Sequence, residues 1–514
     1  MGYGNIISAA FQGLEVNQVK VEADISNGLP SFQMVGYLSS EVKEAWIRVK
    51  TAIANSGIFY PPKKTVINLS PGNLRKTGTF FDLPIATAIL VALGELSQDS
   101  VEGVLMIGEL GLDGSVRKVN GVFPVVSEAA VRGIKRCILP KENVKEGRLV
   151  EGMEVIGVEN LRQVREILAG RLSPSDDEEE TSLLACKEEE LVDFSEIRGQ
   201  GMVKRAVEVA VAGRHNILFV GPPGSGKSLI AKRIPTIFPK LSKEESVELT
   251  RIYSIMGLLD EEHPMMGKRP FREVDHTATR IALVGGGRIP GPGEITLADK
   301  GVLFLDELAE FPRGVLEALR QPLEDRKIRL VRKHGVYDFP ADFMLVAATN
   351  PCPCGYFPDR NRCKCTPGMI TRYMGKISQA FLSRIDICIE VPELKFEDLN
   401  QKKGKEESSA KIRERVEKAA RIQKERNPGE SSFFNAALNA DAIDRYCTLG
   451  DEEEKFMRRA FEMYGLSART YHKVLKVART IADLEAEEKI SLPHLQEALA
   501  YRMVDKSIWE VEGC

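Results

Sequence analysis

Hydrophobic positions follow three different patterns along the chain. In residues 1–172, β-type alternation, as in 19–25, mixes with helix-period stretches such as 40–56, which predicts an α+β domain. In residues 193–395, short apolar runs alternate with helical patterns, the arrangement expected for a parallel sheet with crossover helices. Residues 396–514 show almost no strand signal and many Ala, Glu, Arg, Lys and Leu residues at helical spacing, so they predict an all-helical domain.

A polar stretch at 173–192 separates the first two domains. Ser173-Pro174-Ser175 is followed by an acidic run that offers no face to bury, and we interpret it as a solvated linker. Residues 171–195 carry nine acidic and two basic residues, so a net charge of -3 for the chain leaves about +4 elsewhere. This balance permits a local nucleic-acid site without requiring one.

Composition restricts the class of protein. With 43% hydrophobic and 28% charged residues, the chain is neither collagen-like, nor wholly disordered, nor a disulfide scaffold. Its longest apolar run, at 83–94, is well short of the ~20 residues that cross a bilayer. The first 24 residues lack the basic start and the apolar stretch of a signal peptide, so we expect a cytoplasmic protein without a membrane partner.

Residues 221–228 match the P-loop pattern in the right context, after an apolar strand-like run and before a helical one. The glycines let the backbone curl so that its N–H groups meet phosphates. Lys227 would supply charge to the β- and γ-phosphates, and Ser228 would place a hydroxyl on Mg²⁺. The predicted ATP-binding residues are Gly221, Pro222, Pro223, Gly224, Ser225, Gly226, Lys227 and Ser228.

Two acidic residues follow a second apolar run at 301–305. Such a strand would be buried on both faces and would deliver its acids to the carboxyl edge of the sheet, where ligands bind. Asp306 would hold Mg²⁺ through water, and Glu307 would orient or deprotonate the attacking water. A third strand, 343–348, leads to Asn350, whose amide can reach the γ-phosphate or that water. Together these motifs predict NTP hydrolysis.

These motifs resemble those of AAA+ ATPases, and the resemblance covers all three segments. It implies an adenine-side box at Gly199-Gln200, an arginine finger at Arg384 that reaches the neighbouring subunit's γ-phosphate, and a sensor-2 residue, Arg469, that contacts the nucleotide in cis. An arginine acting in trans requires an oligomer, and the resemblance implies a hexamer.

Three short runs narrow the resemblance to the magnesium-chelatase-like ComM/YifB family: 283–287, 292–295 and 350–355. The chain departs from that family at 274–277, where Val-Asp-His-Thr stands in place of Pro-His-His-Thr. The resemblance implies a DNA helicase or branch-migration motor that acts in uptake and integration of foreign DNA. The alternative is a chelatase-type motor that remodels a protein partner.

The first domain resembles the proteolytic domain of Lon at 78–90, 108–114 and 139–143. Lon-type peptide hydrolysis requires a serine nucleophile and a lysine base. Here those two positions fall on Phe80 and near Phe123, so we expect an inactive Lon-protease-like fold. The same two residues disfavour an ATP-dependent protease.

Four cysteines lie within residues 352–365 in two Cys-x-Cys pairs: Cys352, Cys354, Cys363 and Cys365. Four thiolates suit a tetrahedral structural Zn²⁺, with free thiols or a redox function as the alternatives. All six histidines lie outside this segment, which disfavours a catalytic zinc.

A basic β-hairpin is predicted from Lys327 onward. Basic and apolar residues alternate over 327–332, and the chain turns at 333–335, which places Lys327, Arg329 and Lys333 on the solvent face. The hairpin is either an ordinary solvated face or, as the resemblance implies, a pore-facing element that follows a DNA backbone without reading bases.

Overall fold

The computed structural model describes residues 2–173, 192–287, 290–332, 335–394, 406–428 and 432–509. The chain forms two compact units. The first takes its described residues from 1–187, 242–267 and 331–338, and the second takes the remainder. The predicted linker lies almost wholly outside the described residues, as does Lys333.

Strands and helices alternate along most of the chain. The strands are β1 Gly2–Gln12, β2 Glu15–Ser26, β3 Ser31–Val35, β4 Tyr37–Leu38, β5 Lys64–Ser70, β6 Arg75–Lys76, β7 Val104–Met106, β8 Glu109–Leu110, β9 Val116–Arg117, β10 Arg136–Pro140, β11 Glu154–Val158, β12 Ile217–Val220, β13 Phe271–Val274, β14 Val302–Leu305, β15 Lys327–Arg332, β16 Gly335–Pro340, β17 Met344–Thr349 and β18 Ile387–Glu390. The helices are α1 Ser40–Asn55, α2 Asp82–Leu93, α3 Val122–Val131, α4 Val144–Gly147, α5 Leu161–Leu168, α6 Gly201–Gly213, α7 Lys227–Arg233, α8 Lys243–Ile255, α9 Arg280–Val284, α10 Glu294–Leu297, α11 Arg313–Ala318, α12 Arg320–Asp325, α13 Pro367–Met374, α14 Gln379–Leu382, α15 Ser409–Arg426, α16 Ala440–Tyr446, α17 Asp451–Tyr464, α18 Ala468–Leu484 and α19 Leu492–Trp509.

A seven-stranded mixed sheet organises the first unit, in the order β11-β10-β7-β1-β2-β5-β3. Its longest pair, β1 and β2, runs antiparallel from Gly2 opposite Ile25 to Gln12 opposite Glu15. Helix α2 packs closely on this pair, since a Cβ at Gly4 would lie 2.5 Å from the carbonyl oxygen of Ala88. Only a glycine allows that approach. Helix α2 consequently buries nearly all of its side chains.

Helix α8 belongs to the first unit although it follows the P-loop in the chain. It begins with a capping box in which Ser242 and Glu245 satisfy each other's backbone N–H groups. At its other end, the buried Ser254 accepts a 2.9 Å hydrogen bond from the Gly121 N–H at its carbonyl and donates its hydroxyl to Glu146. Residues 242–267 therefore pack with the N-terminal residues of the first unit.

The second unit is built on a five-stranded parallel sheet in the order β13-β14-β17-β12-β18. Every residue of β12, β14 and β17 is buried, as expected for strands covered on both faces. The described residues of the C-terminal segment fold as helices, apart from short turns. The predictions of a parallel α/β sheet and of a helical C-terminal region are confirmed.

Across the ranges described above, none of the helices combines the length and the apolar character needed to cross a bilayer.

Candidate nucleotide-binding site

Three adjacent strands of the parallel sheet end at one edge and carry the predicted site residues there. Val220 pairs with Thr349, and Leu305 pairs with Ala347, so the residues that follow each strand lie side by side. Loop 221–226 leaves β12 and leads directly into α7. Gly224 and Gly226 adopt left-handed backbone angles, with φ of 77° and 90°, which favour glycine at both positions.

Lys227 is anchored inside this loop. Its Nζ donates hydrogen bonds to the carbonyl oxygens of Gly221 at 2.8 Å and Pro222 at 2.9 Å, and to Asn350 Oδ1 at 3.3 Å. Burial lowers the pKa of Lys227, and the carboxylates of Asp306 and Glu307 oppose that shift. The ammonium is thus held at the site where the motif requires a positive charge.

Ser228 and Asp306 form a direct pair, in which Ser228 Oγ donates to Asp306 Oδ2 at 2.6 Å. The other oxygen of Asp306 accepts the Glu307 N–H at 2.9 Å. A hydroxyl and a carboxylate are hard oxygen donors of the kind that Mg²⁺ prefers. The donor set therefore fits the cation that would accompany a bound nucleotide.

Glu307 is the more accessible of the two acidic residues, with 60% of its side chain exposed. Its backbone is left-handed, with φ of 50° and ψ of 47°, a conformation that is uncommon for residues other than glycine. Its Oε2 lies 3.9 Å from Nδ1 of His276. The sequence assigned no role to His276, because no local motif joins residue 276 to residue 307.

These side chains line one cleft of about 370 Å³. Lys227, Ser228, Asp306, Glu307 and Asn350 all line it, together with Thr349 and with Pro223, Gly224, Ser225, Gly226 and Leu229 of the P-loop segment. The buried ammonium of this cleft is suited to binding a phosphate chain, and the hydroxyl–carboxylate pair is suited to a divalent cation. The accessible carboxylate remains free to contact a water molecule.

Gln200 lies beside the same loop. Its backbone is left-handed, with φ of 52°, and its side-chain amide donates to the carbonyl oxygens of Ser225 and Pro392, each at 3.0 Å. The Gln200 side chain thus links the P-loop, through hydrogen bonds, to the segment that follows β18.

The predicted arginine finger and sensor-2 residue come together away from this cleft. Arg384 Nη2 donates to Glu324 Oε1 at 2.7 Å, and Arg469 Nη2 donates to the same oxygen at 3.4 Å. Both guanidinium groups also donate to Ser383 Oγ, at 3.1 and 3.2 Å. The lining of the P-loop cleft includes neither arginine, so the structure does not bring Arg469 to the nucleotide site of its own chain.

Both arginines line a second, larger cavity of about 580 Å³ in the same unit. Its wall carries six arginine or lysine side chains against two carboxylates, Glu324 and Asp386. Arg384 is only 9% exposed, and burial lowers its pKa while Glu324 raises it. This excess of positive charge is suited to an anionic ligand.

Comparison with known proteins identifies the family. Three family models match successive parts of the chain: "Subunit ChlI of Mg-chelatase" at residues 21–143, "Magnesium chelatase, subunit ChlI" at 193–399 and its C-terminal domain at 406–502. Competence protein ComM of Haemophilus influenzae is 41% identical over 504 residues, which cover 98% of each chain. The chain belongs to the ComM/YifB family of magnesium-chelatase-like proteins.

Two other relatives show the range of this similarity. The YifB protein of Escherichia coli is 39% identical over 511 residues, again across 98% of each chain. The magnesium-chelatase 67 kDa subunit of Heliobacterium mobile is 25% identical over 257 residues, 44% of this chain and 37% of that one. The resemblance to ComM and YifB predicted from the motifs is confirmed, and it spans nearly the whole chain.

In this ComM/YifB-family chain the four clustered cysteines form a compact thiol group. Their Sγ atoms all lie within 4.8 Å of one another, and Cys352 is 3.4 Å from Cys354 and 3.8 Å from Cys363. Four sulfurs around a tetrahedral ion at about 2.3 Å would be about 3.8 Å apart. The backbone N–H of Tyr356 lowers the pKa of Cys354 to about 6, and burial raises that of Cys365 to about 12. The four cysteines thus come together as a candidate metal site.

The predicted basic hairpin is present as β15 and β16, which form a two-stranded sheet. Lys327 and Arg329 are exposed on β15, as predicted, while Ile328 between them is buried. Val331 and Val336 are exposed as well, at 67% and 51%. The hairpin thus presents basic and apolar side chains together.

The two positions to which the resemblance to Lon assigned the dyad hold packed aromatic rings. The ring of Phe80 lies 4.5 Å from that of Phe81 and 6.1 Å from that of Phe11, between centroids. Phe123 is 4% exposed and lies in the first turn of α3. Neither side chain offers a nucleophile or a base.

Proposed function

We propose that this chain is an ATP-hydrolysing AAA+ ring motor that acts on DNA, in recombination or in the integration of DNA taken up by the cell. The observation that carries the proposal is the single cleft shared by Lys227, Ser228, Asp306, Glu307 and Asn350. Membership of a magnesium-chelatase-like AAA+ family supports ATP and Mg²⁺ as its ligands.

In the proposed reaction, the loop 221–226 and Lys227 bind the phosphates, and Ser228 and Asp306 hold the cation. Bound Mg²⁺ would neutralise charge that develops on the phosphoryl oxygens. Glu307, the exposed carboxylate, accepts a proton from the attacking water or orients that water, and Asn350 positions it from the neighbouring strand.

We propose that hydrolysis also needs a second copy of this chain. Arg384 and Arg469 lie together, apart from the cleft of their own chain, in a cavity rich in positive charge. Both would reach the γ-phosphate of a neighbouring subunit, where a guanidinium stabilises the transferring group. Repeated around a ring, this arrangement gives a closed oligomer, which we propose to be a hexamer.

For the motor's substrate we propose single-stranded or branched DNA, contacted by Lys327 and Arg329 of the hairpin and by Lys333, which lies outside the described residues. Alternating basic residues follow a phosphate backbone without reading bases. The name of the Haemophilus influenzae relative, a competence protein, supports DNA as the substrate. We place the protein in the cytoplasm and assign a Lon-like scaffold role to its first domain, where Phe80 and Phe123 replace the dyad.

A second candidate function is remodelling of a protein partner in the manner of a chelatase motor. It is favoured by the partial similarity to the Heliobacterium mobile subunit. That similarity covers less than half of this chain, whereas ComM and YifB match nearly all of it. We therefore prefer the DNA motor.

The experiment that decides between them is strand displacement on forked and four-way DNA. With ATP and Mg²⁺, the wild-type protein should separate the strands, and Glu307→Gln should bind the same DNA without separating it. DNA that neither stimulates ATP hydrolysis nor is unwound would favour a protein substrate instead.

The final element of the proposal is a structural Zn²⁺ held by Cys352, Cys354, Cys363 and Cys365. Four thiols at these separations match the ion's preferred donors and geometry. Its absence from protein purified without chelators would leave the thiols free.

A further inference from the structure

The cysteine cluster lies on a loop that touches the P-loop. Residues 352–365 begin directly after Asn350 and Pro351, and Gly355 lies within them with φ of 85°. A Cβ at Gly355 would lie 2.4 Å from Cδ of Pro223. The backbone of the cysteine loop at Gly355 therefore packs closely on the ring of Pro223, which belongs to the turn that would hold the phosphates.

Apart from local backbone turns and the packing of Arg362 on the Tyr356 ring, the cysteines are the main anchor of this loop. Within residues 352–365 the buried side chains are those of Cys352, Cys363 and Cys365, whereas Tyr356 and Phe357 stay partly exposed. The loop's ion pair, from Arg362 to Glu393 at 2.7 Å, is nearly half exposed at both ends. Exposed pairs of this kind contribute little to order.

We propose that Zn²⁺ bound by the four thiolates holds residues 352–365 against Pro223, so that zinc occupancy sets the affinity of the P-loop for ATP. The inference rests on the proposal that the P-loop binds ATP. It adds a regulatory coupling, because loss of the ion weakens nucleotide binding at a site that contains no zinc ligand.

The physical reason is pre-organisation of the loop. Phosphate binding requires the loop 221–226 to hold its backbone N–H groups in one conformation. Any conformational freedom of the loop must be lost on binding, and this loss lowers the affinity. Without the ion, four thiols within 4.8 Å of one another share only weak hydrogen bonds, and a short loop has no core to replace the lost metal bonds. Pro223 then loses the surface on which it packs, and the affinity for ATP falls.

The first experiment changes the ion. Elemental analysis of protein purified without chelators should find about one zinc per chain. Affinity for a fluorescent ATP analogue, measured without DNA, should fall at least about 5-fold when zinc is stripped, and should recover when Zn²⁺ is restored. The double variant Cys363→Ser, Cys365→Ser should lose zinc and bind the analogue as weakly as the stripped protein.

The second experiment changes the contact between Gly355 and Pro223 and leaves the four zinc ligands in place. Gly355→Ala should keep its zinc and weaken analogue binding about 5-fold, because its methyl group meets the Pro223 ring. Gly133→Ala controls for the left-handed backbone, since Gly133 has φ of 83° and open space around its Cβ position. Gly368→Ala, three residues beyond Cys365, also has open space and controls for substitution near the cluster. Both controls should bind the analogue as the wild type does.

Three results would overturn the inference: protein purified without zinc, stripped protein that binds the analogue as tightly as the zinc-loaded form, or a Gly355→Ala variant that behaves like Gly133→Ala. Failure of the proposed DNA motor is distinguishable from these results. A chain that binds the analogue in a zinc-dependent way but never unwinds DNA would support the inference and contradict the motor.

Discussion

Arg384 donates a 2.7 Å hydrogen bond from Nη2 to the carboxylate of Glu324, and that carboxylate also receives Arg469. A single acidic residue thus orients both arginines that we place at the subunit interface. Glu324 is 60 residues from Arg384 in the chain.

Replacing this carboxylate tests whether it orients the arginines. Glu324→Gln keeps the shape and removes the charge, so we expect ATP turnover of the assembled protein to fall roughly 3- to 10-fold while nucleotide affinity is retained. Steady-state kinetics give both quantities. Asp325→Asn, which removes one charge at the next residue, is the matched control. Equal turnover in the two variants would remove Glu324 from this role.

Mixing experiments test action in trans. Arg384→Ala alone should lower turnover roughly 100-fold or more, because the transferring phosphoryl group loses its stabilising guanidinium. Mixtures with Glu307→Gln subunits should recover part of the activity, since some interfaces then combine an intact carboxylate with an intact arginine. The readout is ATP turnover as a function of mixing ratio. Full activity of Arg384→Ala on its own would exclude an arginine finger at this position.

Substitution of Glu307 separates binding from chemistry. Glu307→Gln should retain ATP binding and lose turnover roughly 100-fold or more, because the carboxylate acts on water and not on the nucleotide. Glu310→Gln is the control: it removes a nearby carboxylate, whose Oε2 binds Lys376 at 2.9 Å. Lys227→Ala should instead weaken binding itself. Isothermal titration and a phosphate-release assay measure the two effects, and wild-type turnover in Glu307→Gln would refute the assignment.

The hairpin is tested through salt dependence. Lys327→Ala with Arg329→Ala should weaken DNA binding. The magnitude of the slope of log K against log salt should fall by about 1 to 2, because each phosphate contact that is lost reduces the number of counterions released on binding. Fluorescence anisotropy over a salt series measures the slope. Arg421→Ala with Lys424→Ala removes two exposed basic residues of α15 and should leave the slope unchanged. An unchanged slope in the hairpin variant would place the DNA contacts elsewhere.

The parallel sheet could be predicted from the sequence because its strands are buried on both faces. The apolar runs at 217–220, 302–305 and 344–348 are continuous, and each is followed within a few residues by a side chain that lines the candidate nucleotide cleft. Because a strand buried on both faces is a continuous apolar run, the polar residues that follow it stand out, and Asp306, Glu307 and Asn350 could be assigned from the sequence to one edge of the sheet.

Strand β1 and the partner of Arg384 could not be predicted in this way. The alternation in Gly2–Gln12 is interrupted by glycine and alanine, and its strand conformation depends on β2 and on the close approach of α2 at Gly4. Glu324 carries no motif, and only the fold places it beside Arg384. Contacts of this kind depend on tertiary packing, which no local pattern records.

Helix α8 has a consequence for the order in which the chain folds during synthesis. The first unit needs residues 242–267, so its N-terminal 187 residues emerge from the ribosome without the helix that covers Gly121 and Glu146. At about 5–20 residues per second, the remaining roughly 80 residues take about 4–16 s to appear. During that interval the P-loop strand and α7 are synthesised before the first unit has all of its elements, so the elements of the two units are completed in an interleaved order along the chain.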